Sequence, residues 1–186
     1  MTSAAAVSAV PRAPVPGFGR RIAALAIDYA LILAYMAVIG GVALLGFVRT
    51  GRFIDWLAWG SLGAEFFGFL VLVLPIGIYF FLCEASSRRA TVGKRALGLV
   101  VVRAGGLGRA SAGRIAVRAV VKLIPWEVAH FFVWQAVASG EALPGWVGAG
   151  LVVANVLPII YVLVVLLQRE RRGPHDLAAG TRVVRV

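Results

Sequence analysis

The feature that most constrains this chain is an apolar run, residues 22–48, in which Asp28 is the one charged residue. About 20 apolar residues can cross a bilayer as a helix, so this run is long enough to span with tilt. A carboxylate inside such a helix costs roughly 2.5–3.5 kcal/mol and normally faces protein or water, with a partner. Arg21 lies seven residues earlier, nearly two turns and roughly 10 Å along a helix. Arg21 and Asp28 therefore share a face, either as a structural ion pair or as part of a polar path.

Further apolar segments predict an all-α membrane protein with about four transmembrane helices. The chain is 61% hydrophobic, above the roughly 45–50% of soluble domains, and its 186 residues suit one compact domain. The predicted spans are residues 22–48, 62–82, 120–137 and 146–167. Three other segments are predicted to be cytoplasmic. They are a disordered tail (residues 1–16), a loop (residues 83–119) and a C-terminal segment (residues 168–186).

Basic residues are divided very unevenly between the two sets of loops. Of the 19 Lys and Arg residues, 17 lie before the first span, between residues 88 and 122, or after residue 168, and Arg49 and Arg52 lie on the other side. The positive-inside rule therefore places both termini and the 83–119 loop in the cytoplasm. This distribution accounts for the net charge of +11 without a nucleic-acid partner, and it favours contact with anionic lipid headgroups.

The third predicted span is unusually polar. Glu127 and His130 are spaced i, i+3 and share a helix face. Three interpretations stay open: an interhelical hydrogen bond, a proton-relay pair, or half of a di-metal carboxylate motif, for which the sequence offers no complementary pair of carboxylates. Glu65, in the second span, is predicted to contact headgroups, and Pro75 is predicted to kink that span.

Two β-prone segments lie in the polar regions. Residues 99–103 read Leu-Val-Val-Val-Arg and lead into a glycine-rich turn, and residues 181–186 have a similar composition. Runs of β-branched residues bounded by turn residues are typical of strands. We predict that the two segments pair on the cytoplasmic face. Ser111 is predicted to cap the helix that follows the first strand.

Three ordered motifs resemble the RDD family of bacterial membrane proteins. The first is Arg21 followed seven residues later by Asp28. The second is Thr91-Val-Gly-Lys-Arg95, which leads into the valine run, and the third is His175-Asp-Leu-Ala-Ala-Gly-Thr181. The resemblance covers residues 17–186.

This resemblance implies a multi-pass protein of the bacterial inner membrane, from a family linked to transport of unidentified ligands, with cation/proton exchange proposed for some members. We therefore predict a transporter with a polar cluster open to the cytoplasm, in which protonation and cation binding compete at Asp28. The predicted cluster consists of Arg21, Asp28, Asp176, Glu127 and His130. The residues predicted to support it are Glu84, Gly93, Lys94, Arg95, Arg118 and His175.

A non-transporting scaffold or accessory subunit is the alternative, in which the basic face holds lipid or a partner, the Arg21–Asp28 pair is structural and Asp176 caps a short helix. Four helices are few for a transport path, so the transporter interpretation favours a homo-oligomer. We expect no enzyme, cofactor or metal site. Gly93-Lys94 lacks the spacing of a phosphate-binding loop, and Ser, Cys and His show no arrangement for nucleophilic catalysis.

Overall fold

The computed structural model describes residues 14–186, and most of the predicted tail, residues 1–13, lies outside them. The longest helix, α1 (Phe18–Thr50), contains the whole apolar run and ends at Gly51, whose φ of +67° suits glycine. Pro14, at the edge of the predicted tail, accepts a hydrogen bond from the Arg185 backbone N–H at 3.2 Å. The chain before α1 therefore contacts the C-terminal strand.

The second apolar segment forms one interrupted helix. A 3-10 turn (Trp56–Trp59) leads into α2 (Gly60–Gly68), a π-helical turn (Phe69–Val73) and α3 (Leu74–Ala85). Pro75 has no N–H to donate to the carbonyl of Val71, four residues earlier. The Tyr35 hydroxyl of α1 donates to that carbonyl instead. The predicted proline distortion is thus a π turn whose free carbonyl is satisfied by a neighbouring helix.

A tyrosine hydroxyl also satisfies a carbonyl left free by a proline in the second half of the chain. Helix α5 (Ala112–Ser139) contains Pro125, which leaves the carbonyl of Val121 without its helical donor. The hydroxyl of Tyr161, on α6 (Gly145–Leu167), donates to that carbonyl at 2.6 Å. Ser111 caps α5 as predicted, since its hydroxyl accepts the Arg114 N–H.

The predicted β pairing is confirmed. Strand β1 (Leu99–Arg103) and strand β2 (Thr181–Arg185) form an antiparallel pair in which Val101 faces Val183. The short helix α4 (Val92–Ala96) precedes β1, and α7 (Pro174–Ala179) precedes β2. The sheet packs with Ala24 and Ile115 in one apolar cluster. It therefore joins the start of α1 to the start of α5.

Within residues 14–186, three helical segments are long and apolar enough to cross a membrane: Phe18–Thr50, Trp56–Ala85 and Gly145–Leu167. This agrees with the predicted all-α membrane class. Helix α5, which contains the remaining predicted span, packs along α6, but Arg118, Lys122 and Glu127 make it more polar than the others. Its crossing of the bilayer stays a prediction.

Candidate functional site

Asp28 is buried and fully hydrogen-bonded to uncharged groups. Only 2% of the residue is exposed. Its carboxylate accepts hydrogen bonds from the Tyr79 hydroxyl at 2.7 Å, the Thr91 hydroxyl at 2.6 Å and the Gly93 N–H at 2.8 Å. Thr91 is also the N-cap of α4, where its hydroxyl accepts the Lys94 N–H. Asp28 therefore docks the N-terminus of α4 onto α1 and ties both to α3.

The predicted pairing of Arg21 with Asp28 is wrong. Arg21 forms an ion pair with Asp176 at 3.8 Å and donates to the carbonyl of Val183 at 3.3 Å. Both residues do face the protein, as the seven-residue spacing predicted. However, the roughly 10 Å of axial rise between them lets Arg21 reach α7 and β2 while Asp28 reaches α4.

Gly93 is required by the close approach of α4 to α1. A Cβ placed at this position would lie 2.0 Å from the carbonyl oxygen of Ala24 and 3.1 Å from the Asp28 carboxyl carbon. The backbone oxygen cannot move without displacing α1. The glycine in the second motif is therefore explained by packing, and no phosphate-binding role is needed.

Replacing Gly93 with Ala is expected to destabilise the protein by about 3 kcal/mol, the upper end of the usual overpacking cost. For a chain of this size that corresponds to a fall in Tm of roughly 5–10 °C, measured by thermal unfolding in detergent. Gly113→Ala is the matched control, because a Cβ on Gly113 meets nothing within 4 Å. Equal melting temperatures for the two variants would contradict the close approach of α4 to α1.

A second network, which we call the inner charge network, centres on Glu84 at the end of α3. The Glu84 side chain is fully buried. It contacts three cations: Lys94 of α4, Arg118 of α5 at 2.7 Å and Lys122 of α5 at 3.0 Å. Glu84 was predicted only to support the polar cluster, and the structure makes it the point where three helices meet.

Arg118 links Glu84 to Asp176. One guanidinium nitrogen, Nε, bonds to Glu84, while Nη1 bonds to Asp176 and, at 3.0 Å, to the Thr181 hydroxyl. Arg118 is 1% exposed and Asp176 is 0% exposed. The inner charge network thus joins α3 and α5 to α7 and β2, and Arg118 is the residue that connects Glu84 to Asp176. Sequence analysis treated Arg118 as a supporting residue.

Asp176 also holds α7 in place. Its carboxylate accepts the Gly173 N–H, at the N-cap of α7, at 3.3 Å and the Thr181 hydroxyl at 3.0 Å. Burial alone would raise the pKa of Asp176, but neighbouring charges, Arg118 foremost, lower that pKa to about 2. Asp176 therefore remains a carboxylate at physiological pH. The capping alternative for this residue matches the geometry.

His175 and Arg95 lie beside the network in different ways. The Nε2 atom of His175 is 3.6 Å from the Asp176 carboxylate. Burial and then the positive charge of Arg118 lower the pKa of His175 to about 3, so its imidazole is neutral. Arg95 is exposed on α4.

Glu127 and His130 belong to a separate group, so their predicted place beside Asp28 is wrong. They lie roughly 13 Å or more beyond Arg118 along α5. There they meet Glu65 of α2, and one potential ligand atom from each of the three residues lies within 4.8 Å of the others. We call these three residues the Glu65 cluster. Sequence analysis assigned Glu65 to headgroups and saw no complementary carboxylate for the Glu-x-x-His motif, because pairing between helices is not visible in spacing.

The Glu65 cluster is shaped by Gly68 and Trp134. A Cβ on Gly68 would lie 2.5 Å from His130 Nε2, so glycine allows α2 to approach the imidazole. The Trp134 indole N–H donates to His130 Nε2 at 2.9 Å. The neutral imidazole therefore carries its proton on Nδ1, which lies 3.9 Å from the Glu127 carboxylate.

The contacts of Tyr79 and Thr91 with Asp28 were not predicted from the sequence. The sequence does carry a signal for Thr91, because threonine is a typical N-cap residue and Thr91 directly precedes α4. Tyr79 lies in an apolar helix, where a tyrosine gives no hint of its partner.

Comparison with known proteins gives one match. The model of the RDD family matches residues 15–180, most of the chain. No curated protein and no solved structure matches the chain.

Proposed function

The chain belongs to the RDD family of membrane proteins, and from that premise we propose that it is a transporter that exchanges a cation for a proton at the Glu65 cluster. We place it in the bacterial inner membrane with both termini in the cytoplasm, in keeping with the 17 to 2 division of basic residues. The observation that carries the proposal is the convergence of two carboxylates and an imidazole from two helices.

The electrostatics of two close carboxylates suit exchange. Two negative charges only a few ångströms apart repel strongly, so one shared proton or one bound cation is needed between them. A cation that enters between Glu65 and Glu127 releases the shared proton to water, and a proton that returns releases the cation. For a monovalent cation, the net charge of the cluster is the same in both states. The Glu127 side chain is 34% exposed, so the chain itself does not enclose this carboxylate.

Asp28 is a poorer exchange site than sequence analysis proposed. Its two oxygen atoms already accept three hydrogen bonds, and a bound cation would have to displace those donors. Lys94 follows Gly93, whose N–H binds Asp28, and Lys94 forms an ion pair with Glu84. Helix α4 therefore connects Asp28 to the inner charge network. We therefore propose that Asp28 and the inner charge network have a structural role.

Proton movement in proteoliposomes tests the proposal. Vesicles that contain an internal pH dye receive pulses of sodium, potassium or lithium. We expect wild type to respond to at least one ion, and Glu65→Gln and Glu127→Gln to lower the initial rate at least tenfold, because a single carboxylate no longer needs a shared proton or cation. Glu141→Gln is the matched control, since it removes an exposed carboxylate beyond α5.

Each variant must first elute as a folded species with a Tm close to that of wild type. Full activity in folded Glu65→Gln and Glu127→Gln would exclude the cluster as the exchange site. A folded wild type that moves no protons would instead favour the alternative, a scaffold or accessory subunit. The closed hydrogen bonding around Asp28 and Asp176 is the observation that favours this alternative. Protomers of a homo-oligomer would help to enclose a transport path through so few helices.

A further inference from the structure

A cavity of about 290 Å³ lies between α1, α5 and α6 beside the inner charge network. Its polar wall includes Arg21, Lys94, Arg118, Lys122 and His175. The basic side chains are largely buried, with exposed fractions of 13%, 13%, 1% and 15% for Arg21, Lys94, Arg118 and Lys122. The cavity therefore concentrates positive charge beside the N-terminal turns of α1.

These cations exceed the carboxylates that contact them. Glu84 and Asp176 are the acidic partners of the four basic residues among the ion pairs of residues 14–186. Asp28 lines the cavity itself, but its partners are the hydroxyls of Tyr79 and Thr91 and a backbone N–H. Because uncompensated buried charge is costly, a cavity with this excess favours an anion.

The rest of the cavity is apolar and reaches the outer surface of the helices. Its walls include Leu25 and Tyr29 of α1, Trp126 of α5, and Val162 and Val165 of α6. Leu25, Tyr29 and Val162 are also about 40% exposed, at 42%, 39% and 43%. These side chains continue the cavity onto the faces that meet lipid tails. A free inorganic anion would leave these walls uncovered.

We propose that this cavity binds an anionic phospholipid, with the phosphate among Arg21, Lys122 and His175 and an acyl chain along Leu25, Trp126 and Val162. Arginine and lysine are the usual partners of phosphate oxygens. The bound lipid supplies the negative charge that the inner charge network lacks and fills the gap between α1 and α6. This proposal does not depend on cation exchange at the Glu65 cluster.

Thermal unfolding of the purified full chain in detergent tests the proposal with three probes: phosphatidic acid, phosphatidylcholine of the same acyl chains, and inorganic phosphate. We expect phosphatidic acid to raise Tm by about 5 °C or more, the shift for a ligand at roughly a hundred times its Kd. Phosphatidylcholine and phosphate should each raise Tm by less than about 1 °C. Equal shifts for the two lipids, or an equal shift with phosphate alone, would overturn the proposal.

Lys122→Met separates the cavity from the general charge of the protein. Glu84 retains Arg118 and Lys94 in this variant, so the fold should persist while the cavity loses one cation. The expected result is a phosphatidic acid shift reduced to less than half. Arg88→Gln removes one exposed positive charge between α3 and α4 and should keep the full shift. An equal reduction in both variants would mean that lipid binds to the charged surface and would overturn the cavity site.

Discussion

Replacing Arg118 with Met is expected to destabilise the protein by roughly 3–5 kcal/mol, the usual cost of removing one partner from a buried ion pair. Methionine fills a similar volume but donates no hydrogen bonds, so Asp176 and Glu84 would each lose a buried bond to the Arg118 guanidinium. The link between α3 and the α7–β2 segment would be broken. We expect Tm to fall by about 10 °C in detergent.

Arg118→Lys and a double-mutant cycle give this prediction its specificity. Lysine keeps the charge but has a single nitrogen in place of the separate Nε and Nη1 donors that bond to Glu84 and Asp176. Its Tm should therefore lie between those of wild type and Arg118→Met. In the cycle with Asp176→Asn, the two losses should be far from additive, because both remove the same contact. An Arg118→Met protein that melts within about 2 °C of wild type would contradict the central role of Arg118.

The architecture could be predicted because its causes are local in the sequence. The apolar run from Ile22 to Val48 dictates a long helix, and the valine run of residues 99–103 dictates a strand, whatever the rest of the chain does. Even the partner strand was identified, since residues 181–186 have the same β-prone composition. Ser111 was recognised as a helix cap for the same reason.

The partners of the charged residues could not be predicted, because they depend on how the helices pack. Arg21 lies seven residues from Asp28 in sequence, yet its partner is Asp176, near the other end of the chain. Glu127 and His130 were recognised as a pair, but Glu65 joins them from α2 only because Gly68 allows the two helices to approach. Spacing within one helix identifies which residues share a face and leaves open what that face meets.

The two buried networks differ in what they can do. The inner charge network holds oppositely charged groups in direct contact, so titrating any member breaks ion pairs that join four elements. The Glu65 cluster joins like charges, and a proton or a cation relieves their repulsion. A site that must bind and release an ion is therefore better formed by close like charges, as in the Glu65 cluster. The same reasoning gives Asp28, which has uncharged donors, a structural role that mutation can separate from transport.

Two substitutions at Asp28 should have very different effects. Alanine leaves the Tyr79 and Thr91 hydroxyls and the Gly93 N–H without an acceptor. Each buried unsatisfied group costs about 1–3 kcal/mol, so Asp28→Ala should destabilise the protein by roughly 3–5 kcal/mol and lower Tm by about 10 °C. Asparagine keeps one oxygen for Tyr79 and Gly93, and its amide can donate to the Thr91 hydroxyl.

Asp28→Asn should therefore lose less than about 2 kcal/mol, the difference between charge-assisted and neutral hydrogen bonds, and should keep proton movement in liposomes close to the wild-type rate. This pairing of results distinguishes an anchor from an exchange site, because an exchange site needs the charge that asparagine lacks. If the Asp28→Asn protein instead has the wild-type Tm but moves no protons, Asp28 is the exchange site. The proposal for the Glu65 cluster is then wrong. If Asp28→Ala melts like wild type, Asp28 does not anchor α4, and the three hydrogen bonds do not hold α1 to it.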